Sequence, residues 1–306
     1  MLKRKKAKNN SNEPLKNLSS SKRLKEIITI LKKHSLIHGI TPEKARLILE
    51  DLGPVYVKLG QIMSMRNDIL PQEYCNEFTK LRSAVKPLPF KQILTVIEEE
   101  CEKNVDQVFL KIEPVPIGSG SIAQVHTAYL KNGEKVVLKI QRPNIYETME
   151  RDINLLKRAI NILKVIKDMG DAIDFSMIID EMWIAAKQEM DFLTEAYHFS
   201  VFKNYNKDIK YISCPTINKD LTTSKLLVME HINGIPIDQI ETLENLGYNM
   251  SEIGLKLAEN YIKQIINDGF FHADPHPGNI WIRDGKIIWL DLGMIGRITL
   301  REQKLL

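Results

Sequence analysis

Phe271-His272-Ala273-Asp274-Pro275-His276-Pro277-Gly278-Asn279, with Asp291-Leu292-Gly293 beginning twelve residues after Asn279, is the stretch that decides the fold. Between the two blocks, Ile280-Trp281-Ile282 and Ile287-Ile288-Trp289-Leu290 read as short strands joined by Asp284-Gly285, a strong hairpin signal. A two-residue turn there pairs Arg283 with Lys286 and Ile282 with Ile287, and so back to Asn279 opposite Leu290. Asn279 and Asp291 then meet at one end of the hairpin, within roughly 5–8 Å. Asp274 sits on the loop that feeds that end. A carboxylate on a loop beside an amide and a second carboxylate is what phosphoryl transfer requires: a base and two Mg²⁺ ligands.

Working outward, the chain of 306 residues allows about two domains, and 43% hydrophobic residues suffice for a packed core. The net charge is +4, but Lys3, Arg4, Lys5, Lys6 and Lys8 account for it, and the rest is close to neutral. No general basic surface points to nucleic acid as a partner. The basic run reads as a solvated end, with peripheral contact to an anionic membrane as the rival. No apolar segment follows it, so it is not a secretory signal. Cys75, Cys101 and Cys214 are scattered, fit a reducing compartment and form no metal spacing. The longest uncharged run, from Pro114 to Leu130, is broken by Pro, Gly and Ser and is no membrane span. These features place the chain in the cytoplasm or on the cytoplasmic side of a membrane.

Residues 1–22 read as a polar basic tail and 23–107 as a helical block. Thr41-Pro42-Glu43 opens one helix that Gly53 closes, and Pro54 starts the next, which carries Lys58-Leu59-Gly60-Gln61. Pro71 begins a third, and a fourth runs from Phe90 to about Lys103. The pattern changes to strands over 108–231: one near Phe109–Pro114, then Gly118-Ser119-Gly120-Ser121, then Ile122–Leu130, an Asn132-Gly133 turn, and Val136–Ile140. Helices are expected from Ile153 and over roughly 176–204, followed by strands at Tyr211–Ile217 and Lys225–Glu230. These strands make a five-stranded meander interrupted by helices. A hinge at Glu230–Gly234, with Glu230 assigned to a nucleotide, leads into 232–306, where Glu252–Asp268 is a helix closed by Gly269.

Alone, Gly-Ser-Gly-Ser is an ordinary flexible loop. Lys139 changes the balance: a lysine in the centre of an apolar strand needs a partner. With a small-residue loop before it and Asp274, Asn279 and Asp291 after it, Lys139 reads as a phosphate-gripping lysine, and residues 118–121 as backbone that approaches phosphates closely. Its carboxylate partner comes from Glu189-Met190-Asp191-Phe192-Leu193-Thr194-Glu195. Glu195 shares a helix with Phe192 and Phe199 and is assigned the ion pair, while Glu189 and Asp191 form a separate acidic pair. A metallohydrolase reading would use His272, Asp274 and His276 as ligands, but leaves Lys139, the 118–121 loop and Asn279 without a task. His272 instead reads as a brace for the loop; His276 has no assigned role.

These blocks resemble the atypical kinase-like UbiB/AarF family, the ADCK group of eukaryotes. The match rests on Lys58-Leu59-Gly60-Gln61 (its KxGQ), Ser121-Ile122-Ala123-Gln124-Val125-His126, Lys139-Ile140-Gln141-Arg142-Pro143, Glu189-Met190-Asp191 with Glu195, and the opening stretch. The resemblance implies an α+β, protein-kinase-like bilobal fold with N-terminal helices covering the active site. It further implies ATP or ADP and Mg²⁺ as cofactors, with Lys58 and Gln61 pointing at the phosphate region near Glu189 and Asp191. Asp274 would be the base or water-orienting group, and Asn279 and Asp291 the metal ligands. The family suggests isoprenoid quinone biosynthesis or membrane lipid homeostasis, hence an isoprenoid lipid or quinone precursor as partner. Gly118 and Gly120 depart from its alanine-rich loop, which bears on nucleotide preference, and Leu292 replaces the phenylalanine of Asp-Phe-Gly. A kinase-like C-lobe continues through several more helices, so an ending at Leu306 implies a truncated C-lobe and marginal stability. A catalytically impaired nucleotide-binding regulator is therefore the second reading, and kinase against ATPase stays open.

Overall fold

Among the described residues, six helices precede the first strand: α1 (Ser20–Lys33), α2 (Pro42–Leu52), α3 (Pro54–Met63), α4 (Gln72–Phe78), α5 (Phe90–Glu100) and α6 (Val105–Val108). The structure, a computed structural model, describes residues 20–34, 40–64, 66–67, 69–81, 85–101, 104–166 and 175–305. Residues 1–19 of the expected tail, with its basic run, lie outside the described residues, and 20–22 already belong to α1. Thr41 caps α2, its hydroxyl accepting from the Lys44 N–H at 3.3 Å, and Gly53 separates α2 from α3. Helices α1 to α4 bury one face each in a core shared with two later helices, α7 (Ile145–Ile166) and α8 (Phe175–Met190).

Between these helical groups lie β1 (Phe109–Ile112), β2 (Gly118–Ser119), β3 (Ala123–Leu130) and β4 (Lys135–Gln141); after them come α9 (Phe192–Tyr205), β5 (Ile212–Ser213) and β6 (Leu226–Glu230). The first sheet is antiparallel in the order β1-β3-β4-β6, with β2 paired to β3. The expected strand over 211–217 does not join it as a regular member. Pro215 has no N–H to give a ladder, so the segment divides. Its first part, β5, runs parallel to a later strand, and Ile217 makes a single bridge to Met229. The fifth strand of the meander is instead β2, inside the small-residue loop.

The chain continues through β7 (Ile235–Pro236), α10 (Ile240–Asn245), α11 (Met250–Lys263), a π turn at Gln264–Asp268, β8 (Phe270–His272), β9 (Ile280–Arg283), β10 (Lys286–Trp289), β11 (Ile295–Arg297) and α12 (Leu300–Gln303). The β9–β10 hairpin has the register read from the sequence, Arg283 opposite Lys286 through Ile280 opposite Trp289. Asp284 and Gly285 have φ of 51° and 73°, the left-handed pair that a two-residue turn demands. Beyond the strands, the Leu290 N–H donates to the Asn279 carbonyl at 2.9 Å, so the hairpin closes beside Asp291. β8 and β11 pair antiparallel, which ties the strand before Asp274 to the strand after Asp291.

One expected helix is two. The run over 176–204 breaks at Asp191, which leaves helical geometry (φ −96°, ψ 100°) and caps α9 through its carboxylate. Phe192, Phe199 and Phe202 of α9 are buried against Leu227 of the first sheet and Ile280, Ile282, Ile287 and Trp289 of the hairpin. Helix α9 is thus wedged between the two sheets. On the other face of the first sheet, Ile93, Val96 and Ile97 of α5 pack on Val136, Leu138 and Ile140.

Candidate active site

Side chains alternate along β4. Leu138 and Ile140 are fully buried toward α5, so Lys139 emerges on the opposite face, toward α9 and the hairpin. Its ammonium lies 2.9 and 2.8 Å from the two oxygens of Glu195 and 3.0 Å from Asp291 Oδ2. Glu195 sits one turn into α9, held there by the Asp191 cap, and its side chain is only 4% exposed. Asp291 is 41% exposed, and its Oδ1 accepts from the Gly293 N–H at 2.8 Å. The Lys139–Glu195 pair expected from sequence is present, and Asp291 shares the same lysine.

One ammonium facing two carboxylates sets the electrostatics. Burial works against the charge on Lys139, but Asp291 and Glu195 hold it above its ordinary range. Asp291 is kept well below the usual carboxylate range: burial opposes this, and Lys139 and the Gly293 N–H overcome it. Burial pushes the Glu195 carboxyl up to about 7, with Lys139 pulling back and the like charge of Asp291 adding to the rise.

The loop at Asp274 is fixed through its backbone. The Asp274 N–H donates to His272 Nδ1 at 3.0 Å, and its carbonyl accepts from the His276 N–H at 2.7 Å and from Asn279 Nδ2 at 3.3 Å. The Asp274 side chain is left exposed. His272 is therefore the brace expected, buried and tilted over Trp289 at 5.1 Å. Burial lowers its pKa, and an accepting Nδ1 puts the proton on Nε2. His276 caps the turn Pro277–Asn279, its Nδ1 accepting from the Gly278 N–H at 3.0 Å. With both Nδ1 atoms occupied, and no group of three His, Cys, Asp or Glu placed to hold an ion among the described residues, the metallohydrolase reading fails. Asn279 and Asp291 are a different donor set. An amide oxygen and a carboxylate held ionised, side by side at the hairpin end, suit a hard cation such as Mg²⁺, which would divide Asp291 with Lys139.

The KxGQ helix splits its tasks. Lys58 of α3 is ion-paired with Glu189 of α8 and lies 3.9 Å from Met294 Sδ, three residues past Asp291. Gln61, expected to face phosphate with it, instead donates its amide to the Leu81 carbonyl at 3.0 Å, in the segment just past α4. A Cβ on Gly60 would meet Leu81 and, at 2.6 Å, Leu49, so the glycine is set by helix packing. Asp191, read as partner to Glu189, spends its carboxylate on the Leu193 N–H (3.1 Å) and the Thr194 hydroxyl (3.3 Å). Among the described residues, the second oxygen of Glu189 is buried without a hydrogen-bond partner.

Gly118, Ser119, Gly120 and Ser121 lie over the opposite edge of β3, pinned by a residue the sequence did not single out for this. Arg142, buried, donates to the Gly120 carbonyl at 2.7 Å, the Ser119 hydroxyl at 2.8 Å and the Lys86 carbonyl at 3.1 Å. Added Cβ atoms on Gly118 and Gly120 would find their nearest neighbours at 3.7 Å, ordinary contact, so alanine fits at both. Glu230 is not free for a ligand. Its Oε1 is 2.6 Å from Arg283 Nη1 and its Oε2 accepts from the Thr216 N–H at 3.2 Å. That pair ties β6 of one sheet to β9 of the other.

Two further features escaped the sequence. His198 of α9 hydrogen-bonds through Nδ1 to the Leu292 carbonyl at 2.9 Å, locking α9 to the Asp-Leu-Gly turn. Asn260 and Gln264 form a buried amide chain: Gln264 donates to Asn260 (2.8 Å) and accepts from the His272 N–H (3.0 Å), and Trp289 donates to Asn260 (3.2 Å). Two amides four apart, Asn260 on α11 and Gln264 at the start of the π turn, were the available signal. Beside the charged cluster, a cavity of about 480 Å³ opens between α3, α8, α9 and residues 293–297, with Glu189, His198, Met294 and Arg297 in its wall.

A sheet with a central lysine, a helix supplying its glutamate, and below them a catalytic-type loop and an Asp-x-Gly hairpin define a protein-kinase-like, α+β fold. The model of the ABC1 atypical kinase-like domain matches residues 80–306, and the chain belongs to that family. An uncharacterised Clostridium pasteurianum protein from the hydrogenase 1 5′ region is 43% identical over 286 residues, covering 90% of this chain and 54% of its own. The probable protein kinase UbiB of Marinobacter nauticus is 36% identical, covering 86% of this chain and 49% of its own. The chain thus spans about half the length of these two relatives. Among solved structures, the Rv3197–erythromycin complex of Mycobacterium tuberculosis matches with a TM-score of 0.59 at 25% identity, over 89% of this chain and 67% of that one. Among the described residues, no helix is long and apolar enough to cross a membrane.

Proposed function

We propose that this chain binds ATP with Mg²⁺ and cleaves or transfers its terminal phosphate, acting on water or a small acceptor rather than on a protein. The observation that carries this reading is Lys139 held at 2.8–3.0 Å between Glu195 and Asp291. Glu195 aims the Lys139 ammonium, which grips phosphate; Arg142 holds the 118–121 backbone in place. Bound Mg²⁺ would neutralise phosphate charge, with Asn279 and Asp291 as its ligands. The exposed Asp274 carboxylate, on a loop whose backbone is fixed, orients the hydroxyl or water that attacks. Lys58 and Glu189 close the approach from the extension, and this favours a small acceptor over a polypeptide segment. The cavity beside Glu189 and Met294 offers such an acceptor both apolar wall and polar groups. Kinship with UbiB suggests an isoprenoid or quinone-type lipid, and work in quinone biosynthesis or membrane lipid homeostasis.

Calorimetry with ADP, with and without Mg²⁺, tests the site. Asp291→Asn should abolish the Mg²⁺-dependent part of binding, and binding equal to the parent would remove the metal assignment. Following labelled γ-phosphate tests the chemistry. Asp274→Asn should retain nucleotide binding and lose turnover by about 10²-fold or more; full turnover in that variant would refute Asp274 as the orienting group.

A further inference from the structure

A second cavity, of about 660 Å³, opens where the end of α9, the segment 206–216 and β10 meet. Of the site residues expected from the sequence, only Glu230 lines it. Five cations converge there: Lys203 in the last turn of α9, Lys207 and Lys210 just beyond it, Arg283 at the end of β9, and Lys286 at the start of β10. Glu230 is the single carboxylate of the lining, and Arg283 already holds it at 2.6 Å. Asp284 lies 4.0 Å from Arg283. Among the described residues, no carboxylate lies within 4.0 Å of the ammonium of Lys203, Lys207, Lys210 or Lys286.

The helix dipole accounts for a lysine at the end of α9. It does not account for Lys286, which arrives from another element and faces the same space. Apart from the N-terminal basic run the chain is almost neutral, so four unpaired ammoniums around one recess are a local concentration of charge that repels itself until an anion joins it. The floor is firm: Phe202 and Ile212 are buried, and Asn206 accepts from Asn260 Nδ2 at 2.7 Å. The hydroxyl residues Ser213 and Thr216 complete the wall.

We propose that this recess binds a small, multiply charged, phosphate-bearing anion, at a site separate from the Lys139 cleft. Compact ammonium charges on flexible stems suit a phosphate cluster, and the volume suits a small ligand. A concave recess also favours a soluble phosphate over the headgroups of a flat bilayer. Arg283 is common to this recess and to the Glu230 pair. An anion here competes for the guanidinium that ties the two sheets, which gives it a route to the geometry of the cleft. The site stands whether or not the cleft binds nucleotide.

Inorganic tripolyphosphate is the probe. Lysine acetylation of the full chain, read residue by residue by mass spectrometry, should show Lys203, Lys207, Lys210 and Lys286 protected about threefold or more at low salt, with the exposed Lys131 and Lys219 unaffected. Lys139 is read in the same experiment, so phosphate in the cleft is separated from phosphate in the recess. The combined variant Lys203→Ser, Lys207→Ser, Lys210→Ser removes only exposed side chains. It should keep the parent's thermal unfolding and lose calorimetric affinity for tripolyphosphate at the recess by about tenfold or more. Absent or uniform protection, protection of Lys139 alone, unchanged affinity in the variant, or protection only by vesicles containing an anionic phospholipid would each overturn the proposal.

Discussion

Lys139 divides one positive charge between two carboxylates, and Glu195 is the one that cannot reach water. Its carboxyl rises from an ordinary 4.5 to about 7, so the folded chain binds that proton more tightly than the unfolded chain does. Glu195 therefore contributes stability that is complete below about 4.5 and is lost as pH rises through about 7. The histidines run the other way. Burial lowers His126, His198, His231 and His272 from 6.5, and each contributes stability present above 6.5 that is lost as pH falls toward the lowered value. Glu195→Gln removes the first contribution and leaves the second. Between pH 7.5 and 5.5 the variant should lose more stability on acidification than the parent, by about 1–2 kcal/mol. Chemical denaturation at the two pH values measures this, and a variant with the shallower dependence would show that Glu195 is already ionised in the fold.

Elements explain which parts of the site could be read in advance. The hairpin was legible because Asp284-Gly285 and its flanking apolar runs are local signals, and Lys139 because it interrupts an apolar strand. Glu195 followed from its distance along one helix from Phe192. What stayed hidden depends on contacts far apart in sequence: the parallel pairing of β5 with β10, the Leu81 carbonyl that takes Gln61, and Arg142 reaching back to residues 86 and 119. Gly60 shows the same limit, since its neighbours Leu49 and Leu81 come from other elements. Helical glycines at 60 and 254 are alike on paper, yet a Cβ at Gly254 meets nothing within 4 Å. Gly254→Ala should gain about 1 kcal/mol from helix propensity alone. Gly60→Ala should forfeit that gain to overpacking, leaving it less stable than Gly254→Ala by about 1–3 kcal/mol. Urea unfolding of both variants ranks them, and a reversed order would mean α3 shifts freely on its neighbours.

At the scale of the molecule, three cores carry the fold, and the one that holds the N-terminal helices is not theirs alone. Leu31, Leu52, Tyr56, Leu59 and Met63 share it with Met149, Ile153 and Leu156 of α7 and with Ile179, Met182 and Ala186 of α8. Polar contacts reinforce the seam: the Tyr56 hydroxyl donates to the Asp152 carbonyl at 2.9 Å, and Arg23 reaches the Asp152 carboxylate at 2.9 Å. The family match begins at residue 80, yet a chain cut there would strip the cover from one face of both α7 and α8. Those helices carry Glu189 and lead directly into Asp191 and α9, so the damage would reach Glu195. A chain of residues 85–306 is therefore expected to self-associate and to bind a hydrophobic dye strongly, while the full chain does neither to the same degree. Light scattering and dye fluorescence on the two chains measure the difference. A monodisperse 85–306 chain with a cooperative unfolding transition would mean that α7 and α8 find a second seat on the sheet, and that the extension is a removable lid and not part of the core.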